Sequence, residues 1–155
     1  MEKTVLASQD VAHDGFVVFY EDRLIAVKIT DGFVKDTNRS LKKKFKAENP
    51  GFLANLMYTD DMEYWEAFPN SFLNMEPAEI QERFPDITLI KYVDIDKFKL
   101  SGSYSTYDEG VQINCPGTLL IKGNGEKITI DHNYKDNDPI YKKVAALKAQ
   151  WIETL

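Results

Sequence analysis

The spacing of apolar residues changes along this chain, and that change limits the fold more than any other feature. From residue 87 the period is two. "ITLIKYV", "DKFKLSGSY", "GVQIN", "TLLIKG" and "EKITIDH" read as successive short strands separated by turns. From residue 138 the period becomes helical. Asp138 suits an N-cap and Pro139 the first helical position. Ile140, Val144, Leu147, Trp151 and Leu155 then follow at steps of 4, 3, 4 and 4, with Lys142, Lys143 and Lys148 off that stripe. Short strands closed by one amphipathic helix predict an antiparallel sheet with the helix packed on it, an α+β arrangement. Trp151, on the stripe, is expected to be buried there.

The first half reads differently. "FVVFYEDRLIAVKI" predicts strands at Phe16–Tyr20 and Leu24–Ile29 around the polar turn Glu21-Asp22, with "TDG" at Thr30–Gly32 as the next turn. "NRSLKKKFKAENPG" predicts a helix capped at Asn38 or Ser40 and stopped at "NPG". Residues 52–74 fit two readings. Leu53, Leu56 and Met57 keep helical spacing and Asp61 suits a cap, while a hairpin turning at Thr59-Asp60-Asp61 fits nearly as well; helix is favoured. "EPAEIQERFP" is a short helix with Pro77 in its first turn and Pro85 beyond its end. Helices are thus inserted at about 38–84 within one domain of 155 residues.

"TLLIKGNGEKITIDHN" contains Gly123, Gly125 and Lys127, a fragment of a phosphate-binding loop at first sight. Such a loop needs Lys followed by Ser or Thr at the opening of a helix. Here Lys127 opens an alternating strand, and Asn124-Gly125 is a hairpin signal because both positions tolerate positive φ. The stretch predicts a turn.

Composition excludes some classes. Apolar residues make up 43% and charged residues 28%, ordinary for a globular protein. No apolar run approaches the roughly 20 residues that span a bilayer, and the N-terminal stretch lacks the pattern of a secretory signal. "NRS" at Asn38–Ser40 matches a glycosylation acceptor but counts for nothing without such a signal. Cys115 is the single cysteine, so no internal disulfide forms; a cytoplasmic location is expected. The net charge of −6 speaks against a whole-domain nucleic-acid binder and for a basic protein partner.

Each candidate site also has an ordinary structural role. Cys115 and His132 stand one hairpin apart, and Asp131 or Asp136 would orient the imidazole of a Cys–His pair. Cys115, however, precedes Pro116-Gly117 at a strand end, with no helix N-terminus to lower its pKa. "DHNYKDND" resembles part of a calcium loop, yet Lys135 occupies the third ligand position. Two histidines, His13 and His132, and one cysteine at wide spacing make no zinc site. No catalytic residue, metal or cofactor is expected. The loop "SGSYSTYDEG", Ser101–Gly110, has the composition of a binding loop and also of an ordinary hairpin connection.

Two charge blocks carry more. From Lys35 to Lys46 six basic residues (Lys35, Arg39, Lys42, Lys43, Lys44, Lys46) face Asp36 alone. From Asp60 to Asp86 eight acids (Asp60, Asp61, Glu63, Glu66, Glu76, Glu79, Glu82, Asp86) face Arg83 alone. As structure, these are two surface helices that partly neutralise each other. As function, Asp60, Asp61, Glu63 and Glu66 with Tyr58, Tyr64 and Trp65 make a docking surface for a basic protein. Lys42, Lys43, Lys44 and Lys46 make the alternative, an anionic-ligand surface.

The strands from residue 87, the Asn-Gly hairpin, the helix ending "ALKAQWIETL" and the hairpin at 16–29 together resemble bacterial pleckstrin-homology-like domains. That resemblance implies a bent antiparallel sheet closed at one end by a C-terminal helix, and a binding rather than catalytic role toward proteins or lipid headgroups. The segment at 38–84 would be an insertion, and the basic run follows the first hairpin instead of occupying its loop. The leading reading is a non-catalytic, cytosolic protein-binding module, in its specific form an acidic immunity-type inhibitor of a basic toxin. A lipid-surface or small-ligand module is the second reading; a hydrolase using Cys115 and His132 or paired carboxylates is the third.

Overall fold

The computed structural model describes residues 3–56, 58, 61–84 and 86–151, with the side chains of 54, 55, 61, 150 and 151 excepted. Strands Thr4–Ala7 (β1), Phe16–Phe19 (β2), Arg23–Val27 (β3) and Ile87–Lys91 (β4) form an antiparallel sheet in sequence order. Five strands follow: Ile95–Ser101 (β5), Tyr104–Asp108 (β6), Val111–Cys115 (β7), Gly117–Gly123 (β8) and Glu126–His132 (β9). They make a three-stranded sheet, β5-β8-β9, and a separate ribbon, β6-β7. Helices Val11–Asp14 (α1), Asp31–Glu48 (α2), Phe52–Leu56 (α3), Asp61–Ala67 (α4) and Pro77–Arg83 (α5) precede β4; Pro139–Trp151 (α6) follows the last strand. The fold is α+β with a C-terminal helix after the strands. Its strands divide among three hydrogen-bonded groups where the resemblance implies one bent sheet, and they do not close a barrel.

The division has a local cause. Ser101 faces Thr118 in the β5–β8 ladder, and Tyr104 faces Cys115 in β6–β7, so both belong to one continuous register. The break falls between them at Gly102-Ser103, opposite Pro116, which has no N–H to donate. The ribbon is therefore the distal half of one long hairpin. Glu109 (φ 50°) and Gly110 (φ 81°) form its tight turn. Asn124 (φ 52°) and Gly125 (φ 78°) form the corresponding turn between β8 and β9, the expected hairpin and not a phosphate loop.

The four-stranded sheet is covered on both faces, which explains why β2 is buried at every position. Val17 and Phe19 of β2, with Leu24, Phe98, Leu119, Ile121, Ile128, Ile130, Val144 and Leu147, form one core between the two larger sheets and α6. Phe16 and Val18 face the other way, into a second core with Ile25, Val27, Trp65, Phe72 and Ile80 from the helical insertion. Gly15 permits a close approach there: its φ is +75°, and a Cβ would stand 1.9 Å from the carbonyl oxygen of Val27. Val144 and Leu147 are buried as the stripe predicts, and Asp138 caps α6 by accepting the N–H of Ile140 at 2.9 Å. The side chains of Trp151 and Leu155 lie outside the described residues, as does Met57.

Several expectations need correction. The basic helix begins at Asp31, not near residue 38, because Thr30 Oγ1 accepts the N–H of Phe33 at 3.2 Å and caps it there. "TDG" is thus a helix start. Asn38 is interior to α2, where its Oδ1 accepts the indole N–H of Trp65 at 2.9 Å. Residues 52–56 and 61–67 are α-helical and Phe68–Asn74 is 3-10 helix, so the hairpin alternative fails among the described residues. The predicted loop Ser101–Gly110 contains a whole strand, β6. β1 was not anticipated.

Candidate docking surface

Alternation along the long hairpin decides what the β6–β7 ribbon presents. Phe98 and Leu100 point to the core side of β5, and the same alternation carries through to Tyr104 and Thr106 on β6. Leu119 and Ile121 of β8 continue into Val111, Ile113 and Cys115 on β7. The first core ends before the ribbon does. Tyr104, Val111 and Ile113 therefore keep a core-type pattern with nothing over them among the described residues, at 61%, 64% and 42% exposure. Tyr107, on the opposite face, is 71% exposed. Ser105 Oγ donates to Asn114 Oδ1 across the ribbon at 2.9 Å. No Lys or Arg occurs from Tyr104 to Gly117, and Asp108 and Glu109 stand at the tip. The result is an acidic-tipped, apolar arm. Beyond the core the hairpin is a two-stranded ribbon with one apolar face uncovered, so a covering surface would favour it.

The acidic block is only partly a surface. Glu63 and Glu66 of α4 are exposed, and Glu66 with Met62 lines a cleft of about 430 Å³ against α1. Trp65, placed in the docking set by sequence, is a core residue at 6% exposure. Tyr64 is half-buried in an aromatic cluster, its ring centroid 5.1 Å from Trp65 and 5.9 Å from Phe68. Asp60 lies outside the described residues, and of Asp61 only the backbone, at the start of α4, is described. Tyr58 is half-buried, its ring 5.2 Å from Phe45.

On α2, Lys42, Lys43, Lys44 and Lys46 are all exposed. Helical spacing puts Lys35, Arg39, Lys42 and Lys46 on one outward stripe and turns Lys44 to another side. The two charge blocks do not neutralise each other through any ion pair among the described residues: those pairs are Lys3–Glu76, His13–Asp10 and Arg23–Asp22. After α2 in sequence, Phe52, Leu53 and Leu56 of α3 are 76%, 74% and 67% exposed.

Cys115 and His132 are separated by their surroundings. Cys115 is half-buried, and its thiol lies beside the Tyr104 hydroxyl, whose pKa it helps to raise. His132 is completely buried, stacked near Tyr134 and Tyr141 with ring centroids at 5.5 and 6.5 Å. Its Nδ1 accepts the N–H of Tyr134 at 3.1 Å, which places the proton on Nε2, where no well-formed hydrogen bond is made among the described residues, although the Ser101 carbonyl exerts a pull. Gly117 makes the room: a Cβ there would meet His132 Cε1 at 2.5 Å. Burial lowers the His132 pKa, against the weaker opposing pull of the Ser101 carbonyl and Asp131. Among the described residues no group of three or more His, Cys, Asp or Glu is arranged to hold a metal ion. No helix among them is long and apolar enough to cross a membrane.

No protein-family model matches this chain, and neither a curated protein nor a solved structure matches it significantly.

The residues that sequence reasoning missed are Tyr104, Val111 and Ile113. The signal was present in the alternation of Val111 and Ile113 and in Glu109-Gly110 as a turn. It was masked by the small polar residues Ser101, Gly102, Ser103 and Ser105, which read as loop.

Proposed function

We propose that this chain is a non-catalytic binding module that docks a basic protein through the β6–β7 arm. The observation that carries the reading is the continuation of a core-type apolar face, Tyr104, Val111 and Ile113, beyond the end of the core. Charge sets the partner's sign. The arm has no cation and two acids at its tip, and the chain carries −6 overall. Glu63 and Glu66 add long-range attraction without supplying the anchor. An immunity-type inhibitor of a basic toxin is the specific form of this reading. The order of four-stranded sheet, three-stranded sheet and final helix supports a pleckstrin-homology-like scaffold for it.

The test uses photocrosslinking residues placed in turn at Thr106, Glu63 and Lys42, then purified binding to whatever partner is trapped. Trapping of a basic protein from position 106, which shares the face of Ile113, with binding lost in a Val111→Asp/Ile113→Asp variant mainly through faster dissociation, supports the reading. A partner that binds this variant as well as the parent contradicts it. So does a homodimer in gel filtration that the variant dissolves. A second reading has its own observation: α2, with its cationic stripe, is followed in sequence by α3, whose Phe52, Leu53 and Leu56 are exposed, a combination suited to an anionic membrane surface. Sedimentation with anionic vesicles, lost in Phe52→Ser/Leu53→Ser, would favour that second reading.

A further inference from the structure

The lysines around the β8–β9 turn form a cluster that the linear sequence disperses. Lys97 of β5 pairs with Lys122 of β8, and Lys122 pairs with Lys127 of β9. All three sit on the face opposite Phe98, Ile121 and Ile128, whose side chains enter the core. Lys99 stands two residues along β5 on the same outer face, beside Leu120 and Thr129 in the next cross-strand row. Neighbouring strands lie about 4.8 Å apart, so the row of three spans roughly 10 Å, with Lys99 about 7 Å along the strand.

Like charges directly opposite one another destabilise a sheet. The repulsion is felt here: the ammonium of Lys99, and then that of Lys122, lowers the pKa of Lys97. No carboxylate forms an ion pair with any of the four among the described residues. Lysines on edge strands have an ordinary role, since they discourage edge-to-edge pairing. That accounts for Lys97, Lys99 and Lys127 on the edges β5 and β9. It does not account for Lys122, which is central in the sheet and completes the row. In a chain of net charge −6, four cations gathered on one face are a local exception.

We propose that this face is a binding site for a soluble, multiply phosphorylated ligand, with Lys97, Lys122 and Lys127 taking its phosphates and Lys99 flanking them. Each ammonium offers three donors, and a phosphate supplies several acceptor oxygens to neighbouring lysines at once. The compact footprint suits a small polyanion better than a nucleic-acid backbone, whose charges recur along an extended stripe. No exposed large apolar side chain stands among the four lysines to enter a bilayer. Binding relieves the repulsion that the free sheet carries, so the site is electrostatic and sensitive to salt. This surface is separate from the proposed protein-docking arm.

The experiment is calorimetric titration of the full chain with inorganic tripolyphosphate at moderate ionic strength, alongside Lys97→Gln/Lys122→Gln and the control Lys28→Gln/Lys142→Gln, two exposed lysines outside this face. The parent is expected to bind tripolyphosphate, and orthophosphate more weakly. The Lys97→Gln/Lys122→Gln variant should bind about tenfold more weakly, and the control should match the parent. Without ligand, the Lys97→Gln/Lys122→Gln variant should melt no lower than the parent because a repulsion has been removed, which separates loss of the site from loss of the fold. Absence of binding by the parent would overturn the proposal, as would equal binding by the Lys97→Gln/Lys122→Gln variant or loss of binding in the control. Phosphatidylcholine–phosphatidylserine vesicles that hold the parent even against excess tripolyphosphate would overturn the soluble-ligand assignment.

Discussion

At the scale of single residues, the buried ionisable groups set the pH range of the fold. His132 has its pKa lowered by burial, so the folded chain holds the ring neutral where the unfolded chain would protonate it. The unfolded state therefore binds more protons as pH falls below the ordinary histidine value of 6.5, and stability is lost in that direction. Tyr20 acts at the other end. Burial, assisted by Glu76 and then Glu79, pushes its pKa up to about 12 from 10.0, and its hydroxyl donates to the Met75 carbonyl at 3.0 Å. The folded state keeps that proton where the unfolded state releases it, so stability should also fall as pH rises through 10 toward 12. Denaturant midpoints across the pH range should show both limbs. The acid limb should flatten in His132→Gln, and an unchanged acid limb in that variant would remove His132 as its cause.

At the scale of elements, legibility followed whether a residue's role was decided by its neighbours in sequence. The β8–β9 hairpin and α6 were readable because Asn124-Gly125 and the Ile140–Val144–Leu147 stripe encode them locally. The start of α2 was not: Gly32 reads as a turn residue, and only the Thr30 cap shows that the helix has already begun. Trp65 and Tyr64 looked like docking aromatics because a sequence of mixed acids and rings does not say which side of α4 faces the sheet. The lysine row was invisible, since Lys97, Lys122 and Lys127 are aligned only by strand register. Two substitutions test these elements. Trp65→Ala should cost about 3–5 kcal/mol, the range for removing a large buried aromatic, and it also strands the Asn38 amide; near-parent stability would mean the second core does not depend on α4. Thr30→Ala should cost about 1 kcal/mol through loss of the α2 cap, read as a shift in the denaturation midpoint at unchanged slope.

At the scale of the whole molecule, one sheet buried on both faces serves as a frame, and the surfaces proposed for recognition lie outside it. The arm extends beyond the first core, the α2 cations and α4 acids lie on the outer side of the helical insertion, and the lysine row occupies the outer face of the second sheet. The overall class, α+β with strands before a final helix, was legible from periodicity alone; the division of labour between two cores was not, because β2 and β3 alternate between two apolar environments and so show no polar face. This arrangement predicts that the arm can change without harming the frame. Val111→Asp/Ile113→Asp should alter unfolding free energy by no more than about 0.5 kcal/mol, as for other exposed positions. A large loss of stability in that variant would mean that the arm is part of the frame.

The docking claim is tested most directly by backbone hydrogen exchange of the full chain, alone and bound to the basic partner trapped by photocrosslinking. The account predicts that slowing on binding concentrates in Tyr104–Cys115, where the free ribbon has two unextended edges, with at most weak changes in α4. Slowing confined to α4 and α5, or to α2 and α3, with Tyr104–Cys115 unchanged, would contradict it.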